Sequence, residues 1–134
     1  MAAKPTWTIL LVDAQRMSRN TLKSQLEYYQ YAVLEADSAR QGVQIFQHHQ
    51  SAIDLVVLDL GLEDASGTKV VEILRRLSPE LRIIAVTSQA LADGRDDLEG
   101  IVGVLHKPVR SDRLVALVSR ALGRNMNLRR QTNS

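Results

Sequence analysis

Four polar residues stand where four apolar stretches of the chain end. Asp13 follows ILLV, Asp59 follows LVVL, Thr87 follows IIAV, and Lys107 follows VLH. Two carboxylates, a hydroxyl and an ammonium suit phosphoryl transfer, because a carboxylate can attack phosphorus while cations neutralise the charge on the phosphoryl oxygens. Carboxylates are also ligands for Mg²⁺, which keeps several waters and needs only one or two of them. The chemistry therefore depends on whether the fold brings these four residues together.

The elements that would position these residues follow from the hydrophobic pattern. Short apolar stretches rich in β-branched residues alternate with longer segments of helical period, as in Leu22, Leu26 and Tyr29. This alternation is typical of a parallel sheet built from βαβ units. The strands are predicted at residues 7–12, 31–35, 54–59, 82–87 and 101–106. Five strands and five helices give a doubly wound α/β fold with helices on both faces of the sheet.

Capping residues support the predicted helix boundaries. Asp37 or Ser38 can cap the second helix, and Ser66 or Gly67 opens the third. Ser111 is predicted to precede the last helix. Ser, Asp and Gly are all common at helix starts because they satisfy or tolerate the unpaired backbone N–H groups there.

The four polar residues all fall at the carboxyl ends of predicted strands. In an open parallel sheet this edge is where ligands bind. Asp59 is then the nucleophile, Asp13 a metal anchor, Lys107 the partner of the phosphate, and Thr87 a hydrogen-bond donor to it. Any one of them alone would be interpreted as a strand-end cap, but the combination favours a metal and anion site.

Composition limits the remaining classes. The chain has 134 residues, 45% of them hydrophobic, which suits one domain, predicted over residues 1–124 with Gly123 ending the last helix. The polar, basic end, residues 125–134, is predicted to be a tail. There is no cysteine, which excludes disulfides and thiolate catalysis. No apolar stretch approaches a membrane span or a signal peptide, so no membrane contact and a cytoplasmic location are expected.

The net charge of +2 comes from the end of the chain. Five arginines and no acidic residue follow Asp112, while the rest of the chain holds more acidic than basic residues. No aromatic residues are interleaved with these arginines, and no known DNA-binding pattern is present. A solvated last helix and tail are therefore predicted, and direct nucleic-acid binding is not expected.

Four sequence blocks, in order, carry a family resemblance. ILLVDAQ, DLVVLDLGLEDASG, IIAVTS and LHKPV resemble the receiver domain of two-component response regulators, over about residues 7–124. The resemblance implies a flavodoxin-like fold with strand order 2-1-3-4-5. It also implies a signalling switch in a phosphorelay, not an enzyme of the usual kind.

The resemblance assigns roles to particular residues. Asp59 matches the aspartate that accepts phosphate, with Mg²⁺, from a histidine kinase or a histidine phosphotransfer protein. Thr87 matches the hydroxyl that moves onto the phosphate, and Lys107 matches the lysine that bridges acceptor and phosphate. The main-chain carbonyl of Gly61 matches a metal ligand, completing a set with Asp13 and Asp59. The Lys107–Pro108 bond matches one that is usually cis in this family.

Two departures concern the metal site. Ala14 stands where the family has the acid that binds the metal directly, and its methyl group offers no oxygen. One formal negative charge is missing, so weakened but not abolished Mg²⁺ affinity is predicted. Glu63 replaces the usual proline after the acceptor; it either reaches the metal or is a solvated loop residue, and the solvated interpretation is favoured.

Two further departures concern the output surface. Val104 takes the place often held by a switch aromatic, so coupling from Thr87 to a swinging ring is not available. The segment QALADGRDDLEG is shorter than the family norm and contains Gly94, which predicts a short or frayed fourth helix. Many receivers use this face for a protein effector or for a homodimer. No effector domain is recognised among these residues, so output is expected to come from docking onto another protein or from a separate output domain.

Two functional hypotheses remain after this comparison. In the first, the protein is a switch phosphorylated on Asp59, which is favoured because Asp59, Thr87 and Lys107 are all present. In the second, it is a pseudo-receiver that binds a partner without phosphorylation, which Ala14 favours. A hydrolase of the aspartyl-phosphate kind is set aside, because it would need an acid two residues after the nucleophile. Gly61 stands at that position after Asp59, and Gln15 after Asp13.

Overall fold

The computed structural model describes residues 6–88 and 100–123. Within them the strands and helices alternate up to the fourth strand, as the hydrophobic pattern predicts. The strands are β1 (Thr8–Val12), β2 (Ala32–Ala36), β3 (Leu55–Asp59), β4 (Arg82–Thr87) and β5 (Ile101–His106). The helices are α1 (Arg16–Tyr28), α2 (Ala39–His49), α3 (Gly67–Leu77) and α4 (Ser111–Ala121). Every predicted strand is therefore found within one residue of its predicted bounds.

The five strands form one parallel sheet of order β2-β1-β3-β4-β5. The order reverses beside β1, which pairs with β2 on one side and with β3 on the other. Strands β1 and β3 therefore lie at the switch point of a doubly wound sheet, whose carboxyl edge is the usual ligand-binding edge. The flavodoxin-like fold and its strand order are confirmed.

Alternate residues of each strand face opposite sides of the sheet and form two apolar layers. The front layer, against α1 and α4, contains Ile9, Leu11, Leu55, Val57, Ile84 and Val86 from the sheet, with Leu22, Leu26, Leu114 and Val118 from the helices. The back layer, against α2 and α3, contains Leu10, Val12, Val56, Leu58 and Ile83, with Phe46, Val70 and Leu74. Asp13 and Asp59 continue the front-facing alternation of β1 and β3 one step beyond the apolar residues.

Helix starts agree with the capping residues in two cases and differ in one. The side chain of Ser38 accepts a hydrogen bond from Gln41 N, and that of Ser66 accepts one from Lys69 N. Ser111 was expected to precede the last helix, but it is the first residue of α4, and Arg110 is the N-cap without a side-chain bond. A serine is tolerated in the first turn as well as before it, so the sequence pattern could not separate the two positions.

The end of α4 is as predicted, whereas one predicted helix cannot be compared. Helix α4 ends at Ala121, and Gly123 follows with a φ of 72°, a left-handed conformation that glycine adopts at little cost. The predicted fourth helix, between Thr87 and the last strand, falls mainly on residues 89–99 and lies outside the described residues. So does the predicted tail, residues 125–134.

Strand β5 carries an irregularity that the sequence pattern does not reveal. Ile101 pairs with Ile83 and Gly103 pairs with Ile84, so Val102 is an extra residue in β5. The extra residue turns Gly103 and Leu105 to the front layer, and the chain then reaches Lys107. The Lys107–Pro108 peptide bond is cis, as the resemblance implied. Within residues 6–88 and 100–123, no helix is long and apolar enough to cross a membrane.

Candidate functional site

The carboxyl edge of the sheet gathers the predicted site residues. Asp13 directly follows β1, Asp59 and Thr87 end β3 and β4, and Lys107 directly follows β5. Asp13 is fully buried, and Asp59 and Thr87 are each 6% exposed. Burying a charged group costs free energy unless the group is paired. The partners of Asp13 and Asp59 therefore indicate how the two carboxylates are stabilised.

Lys107 joins the two carboxylates. Its ammonium Nζ lies 3.0 Å from Asp59 Oδ2 and 3.2 Å from Asp13 Oδ2. The Lys107 side chain is only 13% exposed, so these ion pairs are largely shielded from water. We call Asp13, Asp59 and Lys107 the strand-end cluster. Two carboxylates and one ammonium leave it with one formal negative charge.

Asp13 is held by several donors. Its Oδ1 accepts the N–H of Gln15 at 2.9 Å, and its Oδ2 accepts the hydroxyl of Ser18 at 2.6 Å. Burial by itself raises the pKa of Asp13, but the hydrogen bonds from Ser18 and Gln15, the neighbouring Asp59 carboxyl group and the charge of Lys107 outweigh it. The pKa of Asp13 therefore lies below its ordinary value of 3.8, and the residue is a carboxylate at neutral pH.

Asp59 is fixed by its own loop. Its Oδ1 accepts the N–H of Gly61 at 2.9 Å, while its Oδ2 faces Lys107. The N–H of Leu60 donates to the carbonyl of Val86 at 2.8 Å, which continues the β3–β4 ladder past the end of β3. These bonds place Asp59 at the end of a strand whose backbone is held on both sides.

Thr87 is joined to the strand-end cluster through the backbone. Its carbonyl accepts the N–H of Lys107 at 2.8 Å, and it pairs with His106 in the sheet. The side chain of His106 is exposed. The structure thus brings Asp13, Asp59 and Lys107 into direct side-chain contact and places Thr87 on the strand beside them.

The oxygen atoms near the strand-end cluster suit Mg²⁺. They comprise the Asp13 and Asp59 carboxylates and the backbone of Gly61, whose N–H is already bound to Asp59 and whose carbonyl remains a candidate ligand. Within residues 6–88 and 100–123, no group of three or more His, Cys, Asp or Glu side chains could hold a metal. A site with two carboxylates fits Mg²⁺, which retains waters, and not a metal that needs a cage of protein ligands.

The departures noted in the sequence are visible at this edge. Ala14 is exposed beside Asp13 and has no side-chain oxygen, and Glu63 is an exposed loop residue. Val104 is half-buried and lines a cavity of about 200 Å³ together with Arg110 and Arg113.

Sequence reasoning missed the contacts of two residues at the site, Gln15 and Ser18, and of Asp64 in the loop after Asp59. The Oε1 atom of Gln15 lies 3.0 Å from Lys107 Nζ, and Ser18 binds Asp13. The carboxylate of Asp64 accepts the N–H groups of Ala39 and Arg40, 2.9 and 3.0 Å away. The position of Ser18 in the first turn of the helix after Asp13 was an available signal. The contacts of Gln15 and Asp64 span 92 and 25 residues, and no local pattern indicates them.

Comparison with known proteins agrees with this geometry. The family model described as "Response regulator receiver domain" matches residues 9–119. The chain is 33% identical over 108 residues to the alginate biosynthesis transcriptional regulatory protein AlgB of Pseudomonas syringae, covering 79% of this chain and 24% of that protein. It is 31% identical over 128 residues to the aerobic respiration control protein ArcA of Escherichia coli, covering 90% of this chain and 50% of ArcA.

A solved structure of a receiver domain has a similar fold. A response regulator receiver domain protein from Clostridium thermocellum superposes with a TM-score of 0.77 at 27% identity, covering 91% of this chain and 98% of that one. The chain belongs to the response regulator receiver domain family. This is a family of signalling switches, and the chain spans 24% of AlgB and 50% of ArcA.

Proposed function

We propose that this chain accepts a phosphoryl group on Asp59 from a phosphohistidine of a histidine kinase or a histidine phosphotransfer protein, and thereby switches a protein-interaction surface in a cytoplasmic phosphorelay. The observation that carries the proposal is the Lys107 ammonium 3.0 Å from Asp59 Oδ2 at the carboxyl edge of the sheet. A buried carboxylate beside a fixed cation is placed both to attack phosphorus and to have its product neutralised.

The transfer replaces one bond to phosphorus by another. A carboxylate oxygen of Asp59 forms the new O–P bond while the P–N bond of the phosphohistidine breaks, its electron pair returning to the imidazole nitrogen. Lys107 remains next to Asp59 and pairs with the phosphoryl oxygens, and Gly61 N–H holds the other carboxylate oxygen in place. Bound Mg²⁺ would supply further neutralisation of the phosphoryl charge, held by Asp13, Asp59 and the carbonyl of Gly61.

Thr87 is the residue through which phosphorylation is proposed to reach the rest of the domain. Its hydroxyl moves onto the phosphoryl group, and its carbonyl is bonded to Lys107 N, so β4 and β5 move together. Val104 cannot act as a swinging ring, so the change is passed on by repacking of the face formed by β4, β5 and α4. The receiving protein docks on that face, or an output domain follows in a longer chain.

The phosphohistidine donor is proposed to approach beside Lys107. A groove of about 220 Å³ there is lined by Met17, Leu22, Pro108 and Val109, with Lys107 among its residues. Met17 is 83% exposed, which is unusual for a large apolar side chain and suits a surface that a partner covers transiently.

The proposal is tested by incubating the protein with acetyl phosphate and Mg²⁺ and measuring its intact mass. The wild type is expected to gain one phosphoryl group that hydroxylamine removes, because an acyl phosphate is labile to that nucleophile. Asp59→Asn is expected to gain none. Asp54→Asn is the matched control, since Asp54 lies just before the same strand at the opposite edge of the sheet, and it is expected to gain the group.

Ala14 supports the alternative, a pseudo-receiver that binds its partner without phosphorylation. The Ala14 position is exposed, and its side chain adds no metal ligand to the carboxylates of Asp13 and Asp59. Phosphorylation that depends on Mg²⁺ would therefore have one ligand fewer. Absence of any mass gain in the wild type would contradict phosphorylation of Asp59 and favour this alternative, whereas a gain in Asp59→Asn would show that the acceptor is assigned wrongly.

A further inference from the structure

The Lys107 ammonium has three acceptor side chains and only three N–H groups. It lies 3.0 Å from Asp59 Oδ2, 3.2 Å from Asp13 Oδ2 and 3.0 Å from Gln15 Oε1. An ammonium carries three donors and no acceptor, so each N–H has one of these side chains as its partner. A phosphoryl oxygen on Asp59 can bind the ammonium only if one of the three partners gives up its place.

Gln15 is the partner that gives way most easily. Hydrogen bonds from an ammonium to a carboxylate are stronger than those to a neutral oxygen, and Gln15 is the only neutral acceptor of the three. Gln15 is also exposed, whereas Asp13 and Asp59 are buried. Water can therefore replace Lys107 at the Gln15 carboxamide as the donor approaches. Asp13 stays charged throughout, and Asp59 stays charged until its oxygen is bonded to phosphorus, so neither can release the cation at that stage without leaving a buried charge.

We propose that Gln15 is a positioning residue that holds the third N–H of Lys107 in the unphosphorylated protein and releases it to the incoming phosphoryl group. This inference rests on the proposed function and adds a contact that slows the proposed reaction. A bond made in the resting state and lost in the transition state raises the barrier to reaction. Gln15 thus slows phosphorylation of Asp59.

The side chain of Gln15 can be changed without disturbing its backbone role. Its N–H donates to Asp13 Oδ1 at 2.9 Å, and its carbonyl accepts the N–H of Arg19 at 2.8 Å. It is the N-cap residue of α1, but its side chain makes no capping bond. Substitutions at this position therefore keep the start of α1 and remove only the contact with Lys107.

The test compares the rate constant of phosphorylation by acetyl phosphate at saturating Mg²⁺ in four proteins. Gln15→Leu is expected to react roughly two- to tenfold faster than the wild type, the range that one net hydrogen bond represents. Gln15→Glu is expected to react more slowly, because a carboxylate holds the ammonium more firmly and repels the anionic donor. Gln47→Leu, the same substitution at an exposed position of α2, is expected to match the wild type.

A second measurement does not depend on phosphorylation. Hydrogen exchange of the Lys107 ammonium, followed by ¹⁵N-detected NMR in the metal-free protein, is expected to be faster in Gln15→Leu than in the wild type. Unchanged exchange would contradict the claim that Gln15 holds the ammonium.

The outcomes separate this inference from the function on which it rests. A wild type that gains no phosphoryl group overturns the proposed function and the release step with it. A wild type that is phosphorylated, with Gln15→Leu equal or slower, overturns the role of Gln15 alone.

Discussion

Ala14 and Lys107 together determine the charge of the strand-end cluster. Lys107 provides the one cation that pairs with the two buried carboxylates of the cluster. Because residue 14 is alanine, it adds no third carboxylate at the same edge. At residue scale, the charge that these two residues leave at the sheet edge is expected to set how strongly the proposed site binds a divalent metal. Both residues can be changed singly, and each change has a definite expected direction.

Ala14→Asp is expected to tighten Mg²⁺ binding by about tenfold or more. A unit charge at about 4 Å is worth roughly 4 kcal/mol at an effective dielectric constant of 20, and the desolvation of the new carboxylate offsets much of this. The dissociation constant is measured by calorimetric titration of wild type and variant at equal ionic strength. An unchanged constant would mean that the missing oxygen is not what limits metal binding.

Lys107→Met is expected to lower the free energy of unfolding by about 3 kcal/mol, since it leaves two buried carboxylates without their countercharge. Adding Mg²⁺ should restore more stability to this variant than to the wild type, because the metal replaces the lost cation. Urea denaturation with and without Mg²⁺ measures both effects. Lys69→Met, which changes an exposed lysine, serves as the control and should alter stability little.

Asp64 connects two elements that the chain separates. It lies in the loop between β3 and α3, five residues after Asp59, and both its oxygens bind backbone N–H groups at the start of α2. Those N–H groups have no partners within the helix, so Asp64 satisfies them while Ser38 satisfies Gln41 N. At element scale, these hydrogen bonds attach the loop that contains Gly61 and Asp64 to the start of α2.

Asp64→Asn is expected to lower stability at neutral pH, because an amide offers one acceptor oxygen where the carboxylate offers two. Hydrogen bonds from the backbone of Ala39 and Arg40 hold the pKa of Asp64 below its ordinary value of 3.8. A lowered folded-state pKa gives stability that is present above pH 3.8 and is lost as the pH falls through the folded-state value. The difference in the free energy of unfolding between wild type and Asp64→Asn should thus be constant near neutral pH. It should become smaller only below pH 3.8.

Urea titrations at a series of pH values check this dependence. Asp37→Asn, at an exposed position just before α2, is the control and should change the free energy of unfolding at neutral pH little. A difference between wild type and Asp64→Asn that widened on acidification would contradict the role of the ionised carboxylate.

The whole domain depends on one sheet shared by two apolar layers. Leu114 is fully buried in the front layer and Leu74 is 1% exposed in the back layer, yet adjacent residues of the same strands supply both layers. Neither layer can lose its packing without exposing the strands that hold the other. The domain is therefore expected to unfold as one cooperative unit.

Leu74→Ala is expected to cost about 3 kcal/mol through the lost apolar contacts and the cavity left behind. Trp7, the one tryptophan of the chain, packs against the front layer. Its fluorescence should nevertheless report the same shifted urea midpoint as far-UV circular dichroism. Arg76→Ala, at an exposed position of the same helix, should leave both midpoints almost unchanged; a Trp7 transition unaffected by Leu74→Ala would show that the two layers unfold separately.

The amino-acid sequence by itself determined the elements and the edge where the site lies. Alternating apolar periods specify strands and helices locally, and polar residues at the carboxyl ends of four strands must come to one edge once the strands are parallel. This is why the sequence could predict that Asp13, Asp59, Thr87 and Lys107 share one edge of the sheet. The family resemblance added the expected role of each residue.

Only the tertiary structure decided the contacts between residues that are distant in the chain. Gln15 meets Lys107 across 92 residues, and Asp64 meets Ala39 across 25, through side chains whose types are common at helix starts and in loops. The extra residue in β5 was likewise invisible, because strand register depends on the neighbouring strand and not on the local pattern. Such contacts depend on strand order, register and side-chain conformation together. These three are properties of the folded chain and cannot be read from a local sequence pattern.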